Sequence, residues 1–171
     1  LSVSAIRPQP DELLGYLFIA HDLLQREQIQ RRLQHLAAQL PGVAYQFLQR
    51  ADGSSCFPYA SAGIGAIYGV TPEQVQDNAD AAFAVLYPDD LETISASIQQ
   101  SASDLSLWHI EYRVRHPDKG LIWVEGRASP ERQADGGVLW HGFISDISTR
   151  KAEQLELGNQ QEINRRLLAS F

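Results

Sequence analysis

Methionine is absent from the 171 residues, and cysteine occurs once, as Cys56. A lone thiol cannot close an internal disulfide and no cysteine pair offers a zinc site, which fits a reducing cytoplasm. No apolar run approaches the roughly 20 residues needed to span a bilayer, so no membrane contact is expected within the chain. No basic, apolar and small-residue succession reads as a secretory signal. Cationic excess is missing too: the net charge of −7 argues against nucleic acid or an anionic membrane as the main partner. With no methionine and a start at Leu1, the chain reads as an excerpt. What remains is the composition of a globular protein with a real core, 44% apolar and 20% charged. The length suits one compact domain with attached helices.

The segment 1–20 reads as strand, turn, strand, with Pro8, Pro10 and Asp11 in the turn. A helix is expected over 23–40, with Ile29, Leu33, Leu36 and Leu40 spaced 4, 3 and 4 apart. Such a seam serves a short coiled coil or packs on its own domain. Pro41-Gly42 ends it. Strands follow at 43–50 and 56–61, joined by a turn with Asp52-Gly53 at its tip. Residues 62–84 read as several short helices, one starting at Thr71-Pro72. Pro88-Asp89-Asp90 opens a longer helix to about Ala102, with acids at its positive end and Leu91, Ile94 and Ile98 as the buried stripe. Three strands are expected at 108–116, 121–132 and 138–147, separated by turns at 117–120 and 135–137. In the first of them Trp108, Ile110, Tyr112 and Val114 alternate with His109, Glu111, Arg113 and Arg115, the mark of a sheet covered on one face. Residues 149–171 return to helix, weakened at Gly158 and Asn159. The order predicts an α+β fold, a five-stranded antiparallel sheet with short helices on one face, flanked by N- and C-terminal helices.

No serine–histidine–acid grouping, phosphate-cradling glycine loop or metal-binding helix motif occurs, so the chain is not expected to be an enzyme. Tyr45, Phe47, Tyr68, Phe83, Trp108, Tyr112, Trp123 and Trp140, with Ile94 and Ile98, are candidates for the walls of a ligand pocket, or for a plain core. Asp146 and Ser148 sit where the last strand turns into helix and suit a cap.

The succession LPGVAYQF, FPYASAGIGAIYGVTPEQV, YPDDLETI, EYRVRHPDKGLIWVEGRA and GFISDISTRK resembles the PAS domain of the PAS-3 type, common in bacterial sensor proteins, over residues 43–148. Its last piece is similar to the family's Asp-Ile-Thr-x-Arg-Lys exit, with Ser148 in place of Thr. GYLFIAHDLLQRE (15–27) parallels that exit, setting Asp22 against Asp146 and Arg26 against Arg150. On this likeness 1–22 is the terminal hairpin of a preceding repeat, 23–42 a linker helix, 43–148 the PAS domain and 149–171 the output helix.

The resemblance implies a cytoplasmic sensory module that reports a small molecule or a partner's state through its C-terminal helix to an output domain outside this chain, a diguanylate cyclase or a histidine kinase. It implies a relay through Asp146, Ser148 and Arg150, and a homodimer formed through the flanking helices. A ligand-free dimerisation and relay module is the other reading. No cofactor is required. Cys56 lies in a strand and lacks the Asn-Cys-Arg motif of flavin–cysteine light sensors. None of the five histidines falls in the 62–102 helices, where a haem ligand would be expected.

Overall fold

The computed structural model describes residues 42–169, and before them only Gln25, Gln28, Ile29 and Arg32, which are helical. The hairpin expected over 1–20, the parallel of Asp22 and Arg26, and the seam residues Leu33, Leu36 and Leu40 lie outside the described residues. The chain divides into two units, Leu1–Gln39 and Leu40–Phe171, and the fold below is that of the second.

Five strands form one antiparallel sheet: β1 (Val43–Gln49), β2 (Ser55–Ala60), β3 (Trp108–His116), β4 (Gly120–Arg132) and β5 (Val138–Asp146). Their spatial order is β2-β1-β5-β4-β3. The β1–β2 turn closes as its residues dictate. Asp52 Oδ1 accepts the Ser54 N–H at 2.9 Å, and Gly53 takes φ +87°, a left-handed conformation glycine adopts freely.

Between β2 and β3 run the short helices α1 (Ile64–Tyr68), α2 (Pro72–Val75) and α3 (Asp80–Phe83), a 3-10 turn (Pro88–Asp90) and the longer α4 (Leu91–Asp104). They cover one face of the sheet and enclose the core around Val43, Ile64, Val75, Val114, Val124 and Ile144. The expected stripe of α4 holds at Ile94 and Ile98, but Leu91 is exposed. The helix face turned to the sheet is Ile94, Ile98 and Ser101, and at 100° per residue Leu91 falls at its rim. The outer edge of β3 is not bare. Tyr87 N–H donates to the Arg113 carbonyl and Arg115 N–H to the Val85 carbonyl, which covers a backbone ladder that would otherwise invite pairing.

A final helix, α5 (Ser148–Ala169), leaves the end of β5 and runs unbroken through Gly158 and Asn159. Its side chains are almost all exposed, so glycine's cost in a helix is not multiplied by lost packing there. No helix among the described residues is long and apolar enough to cross a membrane.

Candidate functional site

Two features meet back to back on β3. The inner face carries a cavity; the outer face carries the dock of α5.

The cavity measures about 50 Å³ and lies between the sheet and α1, α3 and α4. Nine of the ten expected wall residues line it: Tyr45, Phe47, Tyr68, Phe83, Ile94, Ile98, Trp108, Tyr112 and Trp140. Phe57, Ala82, Leu86 and Ile144 complete the wall. Ile144 was legible, being two and four residues along the same alternating face as Gly142 and Trp140. Both indoles are held by α4. Trp108 Nε1 donates to Ser97 Oγ and Trp140 Nε1 to Ser101 Oγ, each at 2.9 Å. Ser97 and Ser101, one helical turn apart, thus satisfy two buried N–H groups that would otherwise cost about 1–3 kcal/mol each. Glycine makes room on the sheet: a Cβ at Gly126 would stand 2.4 Å from Trp108 Cζ3, and one at Gly142 2.7 Å from Tyr45 Cζ.

Three of the wall residues are tyrosines. The Tyr68 hydroxyl on α1 hydrogen-bonds the Tyr112 hydroxyl on β3. Burial raises the pKa of Tyr45, Tyr68 and Tyr112, and ionisation of Tyr45 and Tyr112 is opposed further by their neighbouring tyrosines. All three are neutral donors at physiological pH. Among the described residues, no charged side chain lines the cavity.

Trp123, the tenth candidate, is not a wall. Ile122 and Val124 are buried on the inner face, so period-two alternation puts Trp123 on the outer one. There the Arg113 guanidinium lies 5.5 Å and Lys151 Nζ 4.8 Å from its ring centroid. Its main chain also grips the helix entry: the Trp123 carbonyl accepts the Ile147 N–H at 2.8 Å, and the Trp123 N–H donates to Ser148 Oγ at 3.0 Å.

The relay residues divide in two. Asp146 Oδ1 accepts the Ser148 N–H at 2.9 Å, a cap on the first turn of α5. Arg150 does not reach Asp146. It pairs instead with Glu111 at 2.7 Å and Glu125 at 3.7 Å, while Lys151 pairs with the other Glu111 oxygen. The reason lies in the register. Glu111 stands directly opposite Glu125 across the β3–β4 ladder, and facing like charges are unfavourable unless cations join them. Three do so, Arg150, Lys151 and Arg127 at 2.8 Å, and the His109 ring nitrogen lies 2.7 Å from Glu125. The Lys151 ammonium chiefly holds the Glu111 carboxyl below the usual carboxylate range, and the Arg127 guanidinium does the same for Glu125.

Asp89-Asp90 was expected to serve the start of α4. Asp90 is the N-cap residue of that helix, but its side chain makes no cap bond there. Its carboxylate accepts the Arg113 main-chain N–H at 2.9 Å and the guanidinium at 3.0 and 2.6 Å, tying the helix start to β3. Cys56 is buried, 3.3 Å from an Arg50 guanidinium nitrogen.

A family model described as a PAS fold, PAS_3, matches residues 57–144, just over half of the chain. Solved structures share the fold. A sensory box histidine kinase/response regulator from Burkholderia thailandensis superposes with a TM-score of 0.55 at 22% identity, covering 72% of this chain and 91% of that one. The N-terminal domain of a diguanylate cyclase with PAS/PAC sensor from Marinobacter aquaeolei gives 0.52 at 20%, covering 63% and 98%. A PAS domain from Colwellia psychrerythraea gives 0.51 at 19%, covering 71% and 98%. No curated protein matches.

Proposed function

The chain belongs to the PAS_3 family of the PAS fold, and from that premise we propose that it is a sensory module of a bacterial signalling protein whose signal leaves through α5. The output domain is of the diguanylate cyclase or histidine kinase type, the setting in which similar folds occur, and the module works in the cytoplasm. Residues 43–148 receive the signal and 149–171 transmit it. The preceding 1–22 and 23–42 act as the end of an earlier repeat and a linker helix.

The observation that carries this reading is the register of β3. Tyr112 faces the cavity, and its chain neighbour Glu111 faces outward and holds Arg150 and Lys151. A shift of β3 that accommodates an occupant at Tyr112 displaces the Glu111 carboxylate that anchors the first turn of α5. Ser148 and Asp146 keep that turn attached at its start, so the anchor acts as a pivot. Helix α5 leaves large apolar side chains exposed, Leu155 at 67% and Ile163 at 57%, and these supply a contact for a second copy in a homodimer.

The 50 Å³ volume favours the second reading, a ligand-free dimerisation and relay module, because ordinary ligand pockets run to about 300–1,000 Å³. Native mass spectrometry separates the two. Added mass on the 19.1 kDa chain supports sensing by a bound small molecule. A bare dimer supports the ligand-free relay, and a bare monomer removes the dimer from both.

A further inference from the structure

Three tyrosines line the cavity, from three different elements: Tyr45 on β1, Tyr68 on α1 and Tyr112 on β3. All three residues are at most 6% exposed. Each hydroxyl has one hydrogen to donate. The Tyr68–Tyr112 bond uses one of the three, and among the described residues Tyr45 makes no side-chain hydrogen bond. Two hydroxyl hydrogens therefore have no partner among the described residues, on wall residues whose neighbours in the lining are aromatic and aliphatic.

We propose that this cluster recognises a small uncharged molecule through a single hydrogen-bond-accepting oxygen, of the class of short-chain ketones, aldehydes and alcohols. The inference rests on the sensing reading above and names its ligand. Charge is excluded by the lining, since a carboxylate or phosphate buried without a cation is heavily penalised. A pure hydrocarbon leaves both donors unmet. Size excludes flat cofactors: a cavity of about 150 Å³ holds one benzene, and this one is a third of that. Tyrosine ionisation plays no part, because burial keeps all three hydroxyls protonated.

The test uses acetone as probe, 2-methylpropene as its shape-matched partner without an acceptor, and xenon as a reporter of the empty space. Binding is followed by the ring-proton shifts of labelled tyrosine. Acetone is expected to saturate the shifts and to bind about tenfold more tightly than 2-methylpropene, the worth of one neutral hydrogen bond. In the paired variant Tyr68→Phe/Tyr112→Phe, acetone should weaken by a similar factor while xenon still binds. Equal affinity for acetone and 2-methylpropene overturns the ligand class in the wild-type chain alone, whether or not the variant folds. Xenon binding without acetone binding overturns the class and leaves the cavity reading standing. If neither binds, the sensing reading fails with it.

Discussion

Replacing Trp123 by alanine separates the two faces of the sheet. The main-chain bonds from Trp123 to Ile147 and Ser148 survive the change, because neither uses the side chain. What is lost is the ring between the Arg113 and Lys151 cations, at 5.5 and 4.8 Å. Arg113 and Trp123 both belong to the sheet, so only the Lys151 contact holds the helix. At about 0.5–1 kcal/mol for a partly exposed cation–π contact, the first turn of α5 becomes easier to open by that amount. That is roughly a two- to fivefold rise in exchange. Native-state hydrogen exchange reads it at the Lys151 amide, which donates to the Ile147 carbonyl. Xenon uptake by the cavity should not change, since the ring lies on the far face. Exchange unchanged from the wild type, or a changed xenon affinity, would refute the placement of Trp123 as a helix support.

Asp90→Asn removes the charge that binds Arg113 through three hydrogen bonds. It should cost about 1.5 kcal/mol, at the low end for charged hydrogen bonds because the pair is partly exposed; urea denaturation measures it. Arg113 holds the Asp90 carboxyl below its ordinary value. Its contribution is therefore fully present above the unfolded value near 3.9 and is lost as pH falls through the lower folded value, so the variant should lose less stability than the wild type below about pH 4. Gly126→Ala drives a methyl to 2.4 Å from Trp108 Cζ3. Displacing the ring from Ser97 should cost about 1–3 kcal/mol, read as a lowered melting temperature and altered tryptophan emission.

Alternation and turn chemistry made the sheet legible. The β3 boundaries match residue for residue, because every second side chain there changes polarity. The cavity wall was legible for the same reason wherever a strand alternates cleanly. Trp123 was misplaced because LIWVEG is apolar at successive positions, so polarity no longer marks the face, although its phase relative to Ile122 and Val124 does. The partners of Arg150 were not visible locally, as Glu111 lies 39 residues away in sequence. The clue was in the β3–β4 hairpin, whose register sets Glu111 against Glu125 and so demands cations from elsewhere. Asp90 stands at the helix start as expected, but its bonds to Arg113, 23 residues away, were not visible locally.

The account stands on coupling between the inner and outer faces of β3, and a double-mutant cycle on the opening free energy of α5 tests that directly. Tyr112→Phe removes the hydroxyl contact with Tyr68 in the cavity, and Glu111→Gln removes the charge that holds Arg150 and Lys151. Coupled faces predict that the two changes together depart from additivity by about 0.5 kcal/mol or more in the hydrogen exchange of the first turn of α5. Strict additivity, with the effect of Tyr112→Phe confined to α1 and β3, would contradict the relay.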